Sequence, residues 1–199
     1  MRVLAVTGGI GSGKTHIVNM FASMGVPVYF TDDRAKTLYD TSDRLVEDIR
    51  KILGDDVVEC GRLRKDIMAK KLFADKELLG RVEEVVHPAV IEDFKRWRDS
   101  YENRGIPFVI IESAIFLENP ALVPLADKVL VITAPLELRI SRVQSRSNLS
   151  REQIVERINN QWSDSRRLEM ADFVIVSDEQ KALLPQVLDI YNSFGYGNR

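Results

Sequence analysis

A glycine-rich segment near the N-terminus constrains this chain more than any other feature. Residues 3–6 are apolar, as in a buried strand, and residues 8–15 read Gly-Gly-Ile-Gly-Ser-Gly-Lys-Thr. These eight residues fit the phosphate-loop pattern G-x-x-x-x-G-K-[ST] at every fixed position. Apolar residues at helical spacing follow, up to Gly25. A strand, this loop and a helix in register predict a binding site for a nucleoside triphosphate rather than a simple connecting turn.

The residue types of the loop suit the chemistry of phosphate. Glycines let the backbone adopt positive φ and approach an anion closely, and the N–H groups of the loop and of the helix N-terminus point at it. The Lys14 ammonium can reach the β and γ phosphates, and the Thr15 hydroxyl can ligate Mg²⁺. The predicted phosphate contacts are Gly11, Ser12, Gly13, Lys14 and Thr15.

The overall composition is that of an ordinary globular protein. Hydrophobic residues make up 45% and charged residues 29% of the 199 residues, and the net charge of −2 gives no electrostatic case for a nucleic-acid partner. The single cysteine, Cys60, excludes a disulfide framework. Because no apolar run reaches bilayer-spanning length, we expect a cytoplasmic protein without a membrane partner. The sequence does not encode the oligomeric state, so a monomer is the default.

Five apolar runs predict buried strands that alternate with helices. They lie at residues 3–6, 26–30, 108–111, 129–132 and 173–176. Residues 42–103 have helical periodicity without a convincing buried strand, and Pro88 predicts an interruption of that helical pattern. The prediction is a three-layer α/β/α phosphate-loop NTPase fold with a five-stranded, mostly parallel sheet, a helical insertion and a helical lid.

Acidic residues follow two of the predicted strands. Asp32 and Asp33 come after the second strand, and Glu112 comes after the third. Ligands of open α/β sheets bind at the carboxyl ends of the strands, so these carboxylates are candidates for the active site. We expect one of the two aspartates to act on a substrate hydroxyl and the other to cap the next helix. Glu112 is equally compatible with Mg²⁺ binding through water and with a salt-bridged loop.

Three arginines follow the fourth strand at helical spacing. Arg139, Arg142 and Arg146 are three and four residues apart, so we expect them to share one helix face. Ser150 and Gln153 form a capping box at the start of the next helix. Two basic helices at this position favour a lid that closes over phosphates, rather than a merely solvated basic face.

Beyond single motifs, the chain resembles the dephospho-CoA kinases nearly from end to end. The resemblance rests on the loop with its preceding Val6-Thr7, on Asp32 followed by Ala35-Lys36, and on further segments at Gly61-Arg62-Leu63, Phe73, His87-Pro88, residues 112–118, Arg142, Arg146, Gln161 and Ala171-Asp172. The sequence departs from the family at several positions, with Phe30 for an aspartate, Lys36 and Lys65 for arginines, Ala114 for a proline, His16 for a threonine, and Ser177-Asp178-Glu179 without the usual asparagine and glycine.

The resemblance implies a reaction and a set of roles. ATP, with Mg²⁺, would phosphorylate the ribose 3′-hydroxyl of dephospho-CoA in the last step of coenzyme A biosynthesis. Asp32 would be the base, Lys14 and Arg142 would complete the catalytic set, and Arg146 and the His16 backbone N–H would contact ATP. The Mg²⁺ ligand would be Thr15, with Glu112 acting through water. The implied division is a core of residues 1–34, 105–136 and 168–199, an acceptor subdomain of residues 35–104, and a lid of residues 137–167.

Three alternative functions differ in testable ways. Another small-molecule or nucleotide kinase would share the loop, although only one Gly-Gly pair is present, which argues mildly against the shikimate type. A GTP-driven switch would carry an Asn-Lys-x-Asp segment, which this sequence lacks. A non-catalytic nucleotide sensor would have no need of Lys14, Thr15, Asp32 and the arginines together.

Overall fold

The computed structural model describes residues 1–196. Their helices and strands are, in order, β1 Val3–Thr7, α1 Lys14–Ser23, β2 Val28–Phe30, α2 Thr31–Thr41, α3 Asp43–Leu53, β3 Val58–Glu59, β4 Arg62–Leu63, α4 Lys65–Ala74, α5 Lys76–Asp99, β5 Val109–Glu112, β6 Lys128–Thr133, α6 Leu136–Gln144, α7 Arg151–Asn159, α8 Asp164–Leu168, β7 Phe173–Val176 and α9 Leu183–Tyr196.

The chain divides into two compact units. One comprises Met1–Tyr29 and the chain from Tyr101 onward, and we call it the phosphate-loop unit. The other, Phe30–Ser100, is called the helical unit. The predicted division into core, acceptor subdomain and lid stays a prediction, and residues 197–199 of the predicted core lie outside the described residues.

A five-stranded sheet organises the fold, with the strand order β2-β5-β1-β6-β7. β1 pairs in parallel with β5 and with β6, and β6 pairs in parallel with β7. All residues of β1 and of β5 are buried, which explains their almost continuous apolar sequences. The predicted α/β fold with a parallel sheet is confirmed, and the central position of β1 brings the glycine-rich loop to the carboxyl edge of the sheet.

Helices α1 and α9 pack against this sheet and against each other. α1 contacts β1 and β5, and α9 contacts α1 and β7. Between them, the Phe108 ring lies 6.2 Å from that of Phe21 and 5.0 Å from that of Phe194, both edge to face. This aromatic packing holds α1, and therefore the end of the loop, in a fixed position on the sheet.

The helical unit differs from the prediction in two places. α5 runs unbroken through Pro88, so the predicted interruption there is wrong. Buried apolar residues precede and follow the proline, Val82 and Val86 on one side and Val90 and Phe94 on the other, and their packing outweighs the lost backbone hydrogen bond. β3 and β4 form an antiparallel hairpin. The sequence does not predict it, because strands of two residues have no detectable periodicity. Among residues 1–196, no helix combines the length and apolar character that crossing a membrane requires.

Candidate active site

The loop of residues 8–13 lies between β1 and α1 and is closely packed by neighbouring backbone. A Cβ on Gly8 would lie only 2.2 Å from the carbonyl oxygen of Ile132, in β6. A Cβ on Gly11 would lie 2.4 Å from the carbonyl oxygen of Arg139, in α6. Gly11 also has φ +78°, in the left-handed region. Only glycine fits these two positions, so β6 and α6 fix the path of the loop from outside.

Two side chains in or next to the loop are placed to bind an anion. The Ser12 side chain is buried, and its Oγ has no hydrogen-bond partner among residues 1–196. A buried hydroxyl without a partner is costly, and a phosphate oxygen would satisfy it. The Lys14 Nζ donates to the carbonyl oxygen of Gly8 at 2.7 Å and lies 3.5 Å from that of Gly9. The ammonium is therefore held at the loop itself, as a phosphate ligand requires.

The N-terminus of α1 is also suited to a negative charge. Gly13 is its N-cap and supplies no side-chain cap, and the first turn contains no acidic residue. The first N–H groups of such a helix have no partner within it, and the helix dipole is positive there. Thr15 and His16 are exposed in this turn. Thr15 is thus accessible to a ligand.

Glu112 is the last residue of β5 and lies beside the start of the loop. It stands opposite Val6 in the parallel pairing with β1, and its carboxylate is nearly buried. With the exposed Thr15 hydroxyl, this carboxylate provides the hard oxygen donors that Mg²⁺ prefers. The residues present therefore fit the ion.

Ile10 is held on three sides by elements that follow β6. Its N–H donates to the Gln161 Oε1 at 2.9 Å, and its carbonyl accepts from the Arg139 Nε at 2.9 Å. Its side chain packs against the cluster of Ile140, Val143 and Ile154. The loop backbone is therefore hydrogen-bonded to side chains of α6 and of the segment after α7, and the Ile10 side chain makes apolar contact with both helices.

The three predicted lid arginines lie in three different environments. Arg139 is buried, with 5% of its surface exposed. Arg142 is half-buried, its Nη1 lies 3.5 Å from the Ser12 carbonyl oxygen, and its Nη2 donates to Glu179 at 3.2 Å. Arg146 is exposed and lies beyond the last residue of α6. The prediction of one basic face shared by all three is wrong, because α6 ends at Gln144 and leaves Arg146 outside the helix, whereas Arg139 and Arg142 both contact the loop.

A buried network of charges extends from Arg139. Asp164 accepts from Arg139 at 3.1 Å, and Arg167 donates to Glu118 at 2.5 Å and to Asp164 at 3.4 Å. Arg167 is fully buried. Burial lowers the pKa of Arg139, and the nearby Arg167 lowers it further, whereas Asp164 raises it. The opposite charge of Asp164 thus offsets part of the desolvation cost of Arg139.

Sequence reasoning missed most of this network. The sequence motifs include Glu118 only as the end of the family-like segment 112–118, and they do not include Asp164 or Arg167. The one local signal is Ser163, which accepts from the Arg166 N–H and begins α8. A cap predicts a helix, but it does not indicate which of its charged side chains will be buried.

The two aspartates after β2 lie in the helical unit. Asp32 and Asp33 occupy the first turn of α2, both are exposed, and neither caps the helix, whose N-cap is Phe30. Asp33 forms an ion pair with Lys36 at 2.9 Å, which raises the pKa of that lysine. The expectation that one aspartate caps α2 is wrong, since the helix begins at Thr31, before both of them. Both carboxylates still interact favourably with the helix dipole.

Comparisons with known proteins agree with this arrangement. A family model described as dephospho-CoA kinase matches residues 2–182. The dephospho-CoA kinase of Bacteroides fragilis is 37% identical over 187 residues, which cover 94% of this chain and 90% of that protein. The solved structure of TT1252 from Thermus thermophilus has a TM-score of 0.78 at 27% identity, covering 96% of this chain and 95% of the other.

A further solved structure supports the fold alone. That of dephospho-CoA kinase from Campylobacter jejuni has a TM-score of 0.74 at 24% identity, and each chain covers 100% of the other. The family match and the relative that is 37% identical confirm the resemblance that the sequence motifs indicated. The chain belongs to the dephospho-CoA kinase family.

Proposed function

We propose that the chain transfers the γ-phosphoryl group of ATP to the ribose 3′-hydroxyl of dephospho-CoA, giving CoA and ADP. The family match over residues 2–182 carries this proposal, and the loop supports it by supplying a nucleotide site. The hydroxyl oxygen bonds to the γ-phosphorus as the bond to the bridging oxygen of ADP breaks. The hydroxyl proton passes to a base.

In this proposal Asp32 is the base, because it is an exposed carboxylate that follows a strand of the sheet. Lys14 and Arg142, whose side chains both lie on the loop, stabilise the negative charge that develops on the transferring group. The loop N–H groups of Gly11, Ser12, Gly13 and the first turn of α1 cradle the phosphates. Such a transfer depends mainly on positioning and charge.

Mg²⁺ and the lid complete the proposal. The Thr15 hydroxyl would ligate Mg²⁺ and Glu112 would act through a bound water, and the ion would neutralise charge on the phosphates. Residues 137–167 act as a lid that brings Arg146 to ATP, which the contacts of Ile10 with α6 and α7 support. We propose in addition that the enzyme acts in the cytoplasm as a monomer.

The test measures ADP release with Mg-ATP and one of four acceptors, namely dephospho-CoA, adenosine, AMP or shikimate. We expect turnover with dephospho-CoA alone. Asp32→Asn should abolish it, whereas Asp33→Asn, its matched neighbour, should retain most of it. Turnover with another acceptor would overturn the CoA assignment. Binding of ATP without any acceptor-dependent turnover would favour a nucleotide sensor.

A further inference from the structure

The side chain of Arg139 holds the outer side of the phosphate loop. Its Nε donates to the carbonyl oxygen of Ile10 at 2.9 Å, and its Nη1 donates to the Asp164 Oδ2 at 3.1 Å. With 5% of its surface exposed, the guanidinium is largely shielded from water. A hydrogen bond from a charged donor in such surroundings is stronger than one at the surface.

The loop is shaped around this side chain. A Cβ on Gly9 would lie 2.1 Å from the Arg139 Nη2, so the absence of a side chain at residue 9 leaves room for the guanidinium. A Cβ on Gly11 would meet the backbone carbonyl of the same arginine. Two of the loop glycines therefore accommodate Arg139 as well as the expected phosphate.

Asp164 fixes the position of Arg139 relative to the sheet. Its Oδ2 accepts from the Thr133 Oγ1 at 2.7 Å as well as from Arg139, and Thr133 is the last residue of β6. Arg167 supports the other carboxylate oxygen of Asp164. The loop is thus connected through Arg139 and Asp164 to the end of a central strand.

We propose that Arg139, held by Asp164, is a positioning residue that keeps the Ile10 peptide turned outward so that the loop N–H groups face the phosphates of ATP. A carbonyl that turned inward would place its negative end next to the phosphates and disturb the adjoining N–H groups. Gln161 holds the N–H of Ile10 from the same side. The inference requires only that the loop binds ATP, so it stands whichever acceptor the proposed function takes.

The first test uses Arg139→Gln and Arg139→Lys. Because misplacement by an ångström can cost about 10²-fold in rate, we expect Arg139→Gln to lower kcat by roughly that factor and to raise the KM for ATP, with the KM for the acceptor unchanged. Arg139→Lys should give kcat and KM values between those of the parent and of Arg139→Gln, since an ammonium keeps the charge but lacks the planar fork that reaches both Ile10 and Asp164. Lys128→Gln, which breaks an ion pair at the start of β6, is the control and should leave both parameters unchanged.

A double variant separates positioning from stability. Arg139→Gln alone leaves the Asp164 carboxylate without its main partner, which can destabilise the fold. Arg139→Gln with Asp164→Asn removes both charges, so the melting temperature should return towards that of the parent while kcat stays low. Recovery of kcat together with the melting temperature would overturn the proposal.

The sharpest test combines Gly9→Ala with Arg139→Ala. In the parent, the added methyl displaces the guanidinium, and direct binding of ATP should weaken by about tenfold, equal to 1.4 kcal/mol. In the Arg139→Ala background, the space that the guanidinium occupied is open to the added methyl. Gly9→Ala should then change the binding of ATP less than about twofold, because residues 9 and 139 are energetically coupled. Equal losses in the two backgrounds would overturn the proposal, because Gly9 would then matter for the phosphate and not for Arg139.

Discussion

The phosphate-loop unit buries charged side chains, whereas the helical unit keeps most of its ion pairs at the surface. Arg139, Arg167 and Glu112 are all buried in the first unit. In the second, pairs such as Lys36–Asp33 and Arg96–Glu92 are more than half exposed, and among the described residues only Asp93 is a buried charge. Charged side chains therefore contribute differently to the internal structure of each unit.

The difference follows from what each unit has to keep fixed. A glycine-rich loop has little apolar surface of its own, so it depends largely on hydrogen bonds from groups around it, and these must be protected from water. A bundle of amphipathic helices needs only its apolar faces, such as the Leu45, Val46, Ile49 and Leu53 face of α3. Buried charges thus occur in the unit that has to hold the backbone of the phosphate loop in a fixed position.

The largest expected effect is the loss of the buried arginine that pairs with Glu118. We expect Arg167→Met to lower the free energy of unfolding by about 3–5 kcal/mol, because it leaves the Glu118 carboxylate without its buried partner and removes one of the two arginines that pair with Asp164. Urea unfolding measures this. Arg96→Met, which breaks pairs on an exposed side chain of the helical unit, is the counterpart and should cost less than about 1 kcal/mol. Equal losses would remove the contrast between the units.

The next effect concerns turnover and not stability. Lys14→Ala removes a fixed positive charge from the loop, and we expect kcat to fall by about 10²–10³-fold, or roughly 2.7–4 kcal/mol. Lys51→Ala removes a lysine from an exposed pair in the helical unit and should leave kcat unchanged. ADP release at saturating ATP measures both. A fall of less than threefold for Lys14→Ala would place the catalytic charge elsewhere.

An intermediate effect is expected where the helical unit does bury a charge. The Nε and Nη2 of Arg34 make three hydrogen-bond contacts with the Asp93 carboxylate, at 2.7–3.0 Å. We expect Arg34→Gln to cost about 1.5–3 kcal/mol in urea unfolding, since Asp93 then keeps its charge without this fork. Arg34→Lys should recover only part of this loss, because an ammonium cannot form the planar double contact. Full recovery would show that charge alone matters there.

The smallest effect is a gain in the β3–β4 hairpin. Its two central residues, Cys60 and Gly61, have φ +49° and +76°, and a turn with two positive φ values favours Asn-Gly. We expect Cys60→Asn to raise the free energy of unfolding by at most about 1 kcal/mol, because asparagine tolerates the left-handed region better. Cys60→Ala keeps the unfavourable backbone and should give no gain. A similar gain from alanine would mean that the thiol, and not the backbone, is unfavourable.

Local sequence signals predicted the parts of this protein that depend on neighbours along the chain. The loop, the five strands of the sheet and the capping box at Ser150 all follow from short motifs or periodicity, and the structure contains each of them. Where local signals were weak or misleading, tertiary packing decided the outcome. Pro88 is the clearest case, since burial on both sides of it keeps α5 continuous.

The same distinction between local sequence signals and tertiary packing holds for the candidate site. By itself the sequence determined which residues form the phosphate loop and which family the chain resembles, because glycine spacing and residue type are chemical requirements of phosphate binding. Only the tertiary structure decided that Arg139 is buried against Ile10 while Arg146 remains exposed. Helical spacing in the sequence cannot reveal this, because burial depends on where the helix ends and on which surface packs against it.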